Sequence, residues 1–436
     1  MTDLLRLDRL IVEDTRTEDG TLIITVRSKA PTFPRCCLLA DMRHVTKRNG
    51  KHRDFPIQGQ PVKLKMRRQT VFIEIDRQRY KCKECGRPMY EGLPDIDTRH
   101  DMTKKLLRRI QKDAVEWPFN QAAQVNGVDA KQVERIFKDY AAKKLKGYVP
   151  TMPRVLGMDE KYIQKKARFI IGDIERGYML DMQPSRKVLD LNRYFGAMPG
   201  RNHVEVVCQD MWKDYRGITK KLFPNAVTVI DKYHVQRTSN RGVEAIRRLF
   251  QGDISKSERI HLKNKQKVFL ARWETAKPFT RNQLTALFTF FPELKHAYEW
   301  KEAYYEIYDA TSKAEASERM DQWLRDLPPA YRRPFKPSID AINNWRPWIL
   351  NYWDHLQTNA YVESLNNLIG RMNMQGVGYD LETLRAKALL KHGRIGEEIR
   401  LGITREGHGH GALRTRKLIL GVPLSTLEAD LAAGTF

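Results

Sequence analysis

The stretch VEVVCQDMWKDYRGITKKLFPNAVTVIDKYH, residues 204–234, constrains the fold more than any other part of the chain. A β-branched run at 204–207 leads to Asp210, a helical segment and the turn Phe223-Pro224-Asn225 follow, and a second β-branched run at 227–230 leads to Asp231. Strand, crossover helix and strand in so short a span predict a parallel pair, and parallel sheets need helices to cover their faces. An acid then stands at the C-terminal tip of each of two strands. Ligand and catalytic groups gather at that edge of open α/β sheets. Two further acids, Asp159 upstream and Glu363 far downstream, are candidates to complete a site.

Charge points to the substrate class. The chain has 436 residues, room for two to four domains, and 78 Lys and Arg against 53 Asp and Glu, a net of +25. That excess favours a polyanion, bound through phosphate contacts with release of counterions. Three converging carboxylates on so basic a chain suggest metal-assisted chemistry on a nucleic-acid phosphate. No apolar run approaches the roughly eighteen residues of a membrane span. The opening MTDLLRLDRL carries two acids and lacks the apolar core of a secretory signal, so the cytosol is the expected compartment.

Residues 1–97 read as a β-rich, zinc-finger-like module. Strand-like runs at 7–12 and 21–26 suggest a hairpin closing at Asp19-Gly20, and two more runs lie at 62–66 and 71–75, beyond a basic loop with His44 and His52. Four of the five cysteines, Cys36, Cys37, Cys82 and Cys85, fall in this module, a clustering that favours metal over disulfide. Cys82-x-x-Cys85-Gly86 is half of a zinc knuckle. The other half is open between two readings: one of Cys36 and Cys37 with His44 or His52 as fourth ligand, or a finger without Zn²⁺ held by strand packing.

Residues 98–150 read as helices and a linker. A helix over 103–115 is followed by a short one with Ala122, Ala123 and Val125, a turn at Asn126-Gly127-Val128, and a helix capped by Asp129. Val133, Ile136, Phe137 and Tyr140 recur with helical spacing. This is a helix-turn-helix pattern, whose second helix enters the major groove and would turn Lys131, Gln132 and Arg135 to DNA.

Residues 151–250 read as the first part of a catalytic sheet. Strands at 154–160, 167–174 and 178–183, a helix at 185–195 and the parallel pair match a ribonuclease-H-like order, in which the strands carrying Asp159 and Asp210 are neighbours. Residues 251–350 change to charged and aromatic sequence with helical spacing; Trp273, Phe288, Phe290, Tyr298, Trp300, Trp323, Trp345 and Trp348 are expected to pack an all-helical insertion. Residues 351–400 complete the core with a helix bearing Glu363, with Asn367 one turn further on. Residues 401–436 form a tail, and its His408 and His410 are read as loop. The fold class expected is thus multidomain α+β.

With these residues in hand the chain resembles bacterial insertion-sequence transposases of the ISL-three family, of the DDE class. The resemblance is carried by GMDE (157–160), QDMWKDY (209–215), FPNAVTVIDKYHV (223–235) and TNAYVESLNNLIGRM (358–372). Two positions depart from the family: its first Cys-x-x-Cys is here the adjacent pair Cys36-Cys37, and its Ser-Asn before the glutamate helix is Thr358-Asn359. The resemblance implies that Asp159, Asp210 and Glu363 hold two Mg²⁺ (or Mn²⁺) ions, that Asp231 and His234 support the site, and that the protein cleaves and joins DNA at terminal inverted repeats. Both element ends must be held together, so a homodimer or larger synaptic complex is expected. The alternative is a non-catalytic DNA-binding regulator derived from a transposase; a plain nuclease of the same fold would cut without joining.

Overall fold

The computed structural model describes residues 10–19, 21–29, 42–58, 68–90, 93, 95–97 and 99–400. Cys36, Cys37, the run at 62–66 and the tail from 401 lie outside the described residues, as do the side chains of His44 and His52.

The N-terminal sheet contains β1 (Leu10–Glu18), β2 (Thr21–Ser28), β3 (Met42–Gln58), β4 (Arg68–Cys82) and the short β5 (Pro88–Tyr90), β6 (Ile96–Asp97) and β7 (Met102–Thr103), in the order β1-β2-β4-β3-β7-β6 with β5 on β4. The hairpin expected between the first two strands is present, with Glu18 opposite Thr21. Among the described residues, its first strand runs from Leu10 through the polar stretch to Glu18. The basic segment expected as a loop around His44 and His52 is instead β3, paired antiparallel along β4 from Met42↔Cys82 to Gln58↔Arg68. A long ribbon satisfies its backbone by pairing, so such a strand needs no alternating apolar pattern. Leu10, Ile24, Val26, Ile73, Ile75 and Ile96 form the core of this layer.

Three helices follow: α1 (Lys104–Glu116), capped by Thr103, α2 (Phe119–Asn126) and α3 (Ala130–Lys144). Gly127 ends α2 at φ +65°, a conformation glycine takes at little cost, and the Asp129 carboxylate accepts from the Lys131 amide at 2.7 Å to start α3. Val133, Ile136 and Phe137 are fully buried, as their spacing predicts.

The second sheet holds β8 (Val155–Ile163), β9 (Lys166–Asp173), β10 (Tyr178–Gln183), β11 (Val206–Gln209) and β12 (Val227–Ile230) in the order β10-β9-β8-β11-β12. The first three strands pair antiparallel; β8, β11 and β12 run parallel. The helices α4 (Val188–Gly196) and α5 (Lys213–Leu222) cover one face, where Leu156, Met158, Phe169, Phe195, Val207, Tyr215 and Phe223 pack together.

From β12 the chain enters α6 (Lys232–Asp253). The helices α7 (Lys256–Leu262), α8 (Gln266–Leu270), α9 (Pro278–Phe290), α10 (Pro292–Glu306), α11 (Lys313–Asp326), α12 (Pro329–Arg332), α13 (Lys336–Leu350) and α14 (Tyr352–His355) follow. Tyr298, Trp323 and Trp345 are buried in their shared core, and Phe288, Trp300 and Trp348 pack against it. Phe290 and Trp273 depart from the expectation and are exposed. The chain returns through α15 (Ala360–Gln375) and α16 (Leu381–His392). Met1–Gly396 group into one compact unit; of the second unit, Glu397–Phe436, only the end of a helix begun at Arg394 is described.

Candidate active site

Parallel register sets the row of acids. Gly157 lies opposite Cys208, and Gln209 opposite Ile230, so one or two residues further on Asp159, Asp210 and Asp231 stand at one level on three adjacent strands. Asp210 and Asp231 lie just past the ends of β11 and β12; Asp159 lies within β8, which runs on to Ile163 rather than ending at the acids as the sequence suggests. The strands β11 and β12 are short because each runs into a turn or helix at its acid: Asp210 Oδ1 accepts from the Met211 amide at 2.5 Å, and Asp231 is the N-cap of α6. His234 follows Asp231 by three residues, hence on the same side of α6 one turn along.

The fourth acid arrives from the opposite end of the chain. The helix α15 docks on β8 and β9 across a bare patch, because Gly157 and Gly172 are paired across those strands. A Cβ on Gly157 would lie 2.5 Å from Val362 Cγ2 and 2.6 Å from Asn359 Oδ1. Asn359 Nδ2 donates to the Met158 carbonyl at 3.0 Å, and its backbone N–H donates to Asp231 Oδ1 at 3.1 Å. With the first turn of α15 fixed in this way, Glu363 faces the ends of the strands.

The sequence-predicted acids do meet, around His234. The Nδ1 of this imidazole donates to Asp210 Oδ1 at 3.0 Å; its Nε2 lies 3.9 Å from Asp159 Oδ1 and 3.8 Å from Glu363 Oε1. Among the described residues, Asp231, His234 and Glu363 form a group that could hold a metal ion, with one ligand atom from each within 4.8 Å of the others. Asp231 and His234, expected as supports, thus sit as close to the centre as the expected ligands. Asn367 is exposed. The amide that reaches the carboxylates is its neighbour Asn366, whose Nδ2 donates to Asp159 Oδ2 at 2.6 Å; adjacent residues point about 100° apart on a helix.

Electrostatics mark the cluster as anion-rich and short of cations. Burial pushes the Asp159 carboxyl up to about 6, and raises Asp231 and Glu363 as well, the negative charge of Asp231 adding to the effect on Glu363. Burial acts the same way on Asp210, but the hydrogen bond and charge of His234 outweigh it and hold Asp210 below its ordinary value. On His234 burial opposes protonation, yet the bond to Asp210 and the surrounding carboxylates raise it to about 9. Asp231 Oδ2 and Glu363 Oε1 are buried with no hydrogen-bond partner. Unpaired buried anions are costly, so this donor set fits a hard divalent cation.

Neighbouring groups have other duties. Glu160 points away from Asp159 and is held by the Tyr215 hydroxyl at 2.6 Å and Arg186 at 2.5 Å, with Arg186 stacked 4.7 Å over Trp212. Cys208 is a fully buried thiol whose pKa burial raises, the reverse of an activated nucleophile. Elsewhere, Cys82 is buried and Cys85 exposed on the tight turn after β4. On α3, Lys131 and Arg135 are exposed, whereas Gln132 donates to the His100 carbonyl at 3.3 Å.

A family model described as a transposase, of the ISL-three DDE group, matches residues 156–388, more than half of the chain. The chain belongs to that family. The matched segment of this transposase starts on β8, ends in α16 and contains all five residues of the carboxylate–histidine cluster. No curated protein matches the chain. Membership makes DNA the partner and divalent-metal chemistry the general expectation. No helix among the described residues is long and apolar enough to cross a membrane.

Proposed function

We propose that the protein is a DDE transposase that binds the terminal inverted repeats of its element and catalyses metal-dependent strand cleavage and strand transfer. The observation that carries this reading is the meeting of Asp159, Asp210 and Glu363 around one imidazole, although 204 residues (363 − 159) separate the first from the last. The strand order β10-β9-β8-β11-β12, three antiparallel strands followed by two parallel ones, supports a ribonuclease-H-like core interrupted by the helices between α6 and α15.

When bound, a pair of Mg²⁺ or Mn²⁺ ions supplies Lewis-acid activation and charge neutralisation at the scissile phosphate. Asp159 on β8, Asp210 after β11 and Glu363 on α15 are the residues that would hold these ions. His234 orients Asp210 through Nδ1, and Asp231 fixes the start of α15 through Asn359. Water attacks the phosphodiester, the P–O3′ bond breaks, and the 3′ oxygen leaves with a proton. That 3′-hydroxyl then attacks a target phosphodiester at the same site, forming one P–O bond as another breaks, so no external energy source is needed.

The remaining parts complete the reading. The α2–α3 pair acts as the helix-turn-helix, with Lys131 and Arg135 toward DNA, and the module at residues 1–97 acts as a finger in which Cys82 and Cys85 bind Zn²⁺ with partners upstream. Both element ends enter one synaptic assembly of two or more copies.

The test is nicking of a repeat-ended duplex by the full chain with Mg²⁺. Asp159→Asn should reduce cleavage to background and leave end binding unchanged. Cleavage at the wild-type rate by this variant would remove Asp159 from the chemistry.

A further inference from the structure

We infer that Asn366 is a positioning residue that orients the Asp159 carboxylate, an inference that rests on the reading of the site just given. Asn366 stands three residues after Glu363, on the same side of α15. Only 5 % of it is exposed. Its Nδ2 donates to Asp159 Oδ2 at 2.6 Å and lies 3.5 Å from the Glu160 carbonyl oxygen. Backbone carbonyls only accept, so the NH₂ end of the amide must face the strand.

The two oxygens of Asp159 are thereby given different tasks. Oδ2 is taken by the amide. Oδ1 is the oxygen 3.9 Å from His234 Nε2, turned toward the centre of the cluster. A carboxylate without this donor would spread over several rotamers, and ordering it would then cost entropy each time a cation is bound. The opposite end of the amide, Asn366 Oδ1, is buried with no partner and is a spare acceptor beside the carboxylates.

A purely structural role is already filled by another residue. Asn359, at the N-cap of the same helix, ties α15 to β8 through the Met158 carbonyl. If Asn366 served docking alone, its shortest side-chain bond would go to backbone; that bond goes instead to the Asp159 carboxylate, and the Glu160 carbonyl is the more distant partner.

The experiment measures Mn²⁺ binding to the full-length chain by titration calorimetry, with the metal-free thermal midpoint of each variant as control. Asn366→Ala should weaken Mn²⁺ binding by about 10- to 100-fold, the usual effect of removing a partner that orients a metal ligand. Its metal-free midpoint should fall no further than that of Asn359→Ala. In nicking assays kcat should drop while KM for the repeat-ended duplex holds. If Asn366→Ala does not fold, Asn366→Leu keeps the volume without the amide and is read in the same way. Mn²⁺ affinity within twofold of wild type, in a background where Asp159→Asn has lost binding, would overturn the positioning role alone. Unchanged Mn²⁺ binding by Asp159→Asn would instead overturn the reading of the site itself.

Discussion

Lys387 shows how a single buried cation can join distant parts of this chain. It sits on α16 with 3 % exposure, and its ammonium donates to the carbonyls of Ala114 and Trp117 at the C-terminal end of α1. The rings of Phe119, Phe137 and Tyr379 surround it at 4.8, 5.3 and 5.4 Å. A helix C-terminus and aromatic faces both favour a positive charge, but burial dominates and lowers the Lys387 pKa to about 7. Because this lies below the ordinary 10.5, the unfolded chain takes up the proton first as pH falls. The contribution of this group to stability is therefore whole above pH 10.5 and drains away between there and about 7. Lys387→Met, similar in volume and uncharged, should match or exceed wild-type stability at pH 7. Its advantage should shrink with rising pH by up to ~1.4 kcal/mol per unit. Urea unfolding at pH 7, 8 and 9 checks this; an advantage independent of pH would mean that Lys387 does not titrate on folding.

Among the elements, α15 depends most on features outside itself. It carries Glu363 and Asn366, and it can approach the sheet only because the paired Gly157 and Gly172 leave no side chain beneath it. Gly157→Ala would force a methyl to within 2.5 Å of Val362 Cγ2. Overpacking of this kind costs about 1–3 kcal/mol, and relief would come by lifting the helix. The expected outcome is a modest fall in thermal midpoint with a much larger loss of Mg²⁺-dependent nicking; equal losses would show that α15 does not move. The same contrast explains what could be read from the sequence. The strands β8, β11 and β12 stood out because buried parallel strands are apolar runs, and Asp159, Asp210 and Asp231 could be placed on them by strand order, although β8 runs on past Asp159 through polar sequence to Ile163. The ribbon strand β3 was hidden, since its sequence MRHVTKRNGKHRDFPIQ has neither an apolar face nor a period of two. The partner of Asp159 was hidden for another reason: Asn366 is 207 residues away, and the choice between it and Asn367 turns on the rotation of a helix about its axis. The spacing of three from Glu363 was the available clue.

At the scale of the whole molecule, the long helical segment is tolerable because it leaves and re-enters the core at nearly one point. The Asn359 backbone N–H and Asp231 Oδ1, 128 residues apart in sequence, are hydrogen-bonded, so the base of the insertion is closed beside the carboxylates. A second fastening lies further out, where Arg216 of α5 is stacked on Trp345 and Trp348 of α13 at 5.4 and 4.6 Å. The acidic cluster is thus embedded in a chain of net charge +25, and four carboxylates repel any DNA phosphate that approaches them unless cations elsewhere hold the backbone. Salt dependence measures how many cations do so, because each neutralised phosphate contributes roughly −0.9 to the slope of log K against log salt. The exposed Lys131 and Arg135 of α3 are the cations to test. If both contact phosphates, replacing the pair by alanine should make the slope shallower by about 2 and weaken repeat-ended and random duplexes equally. If Arg135 reads a base edge, the repeat-ended duplex should lose more affinity than the random one, by about 1–3 kcal/mol, with a slope shallower by only about 1. An unchanged slope and unchanged affinity for both duplexes would take α3 out of the DNA interface, and the polyanion would have to be held by other basic surfaces of the molecule.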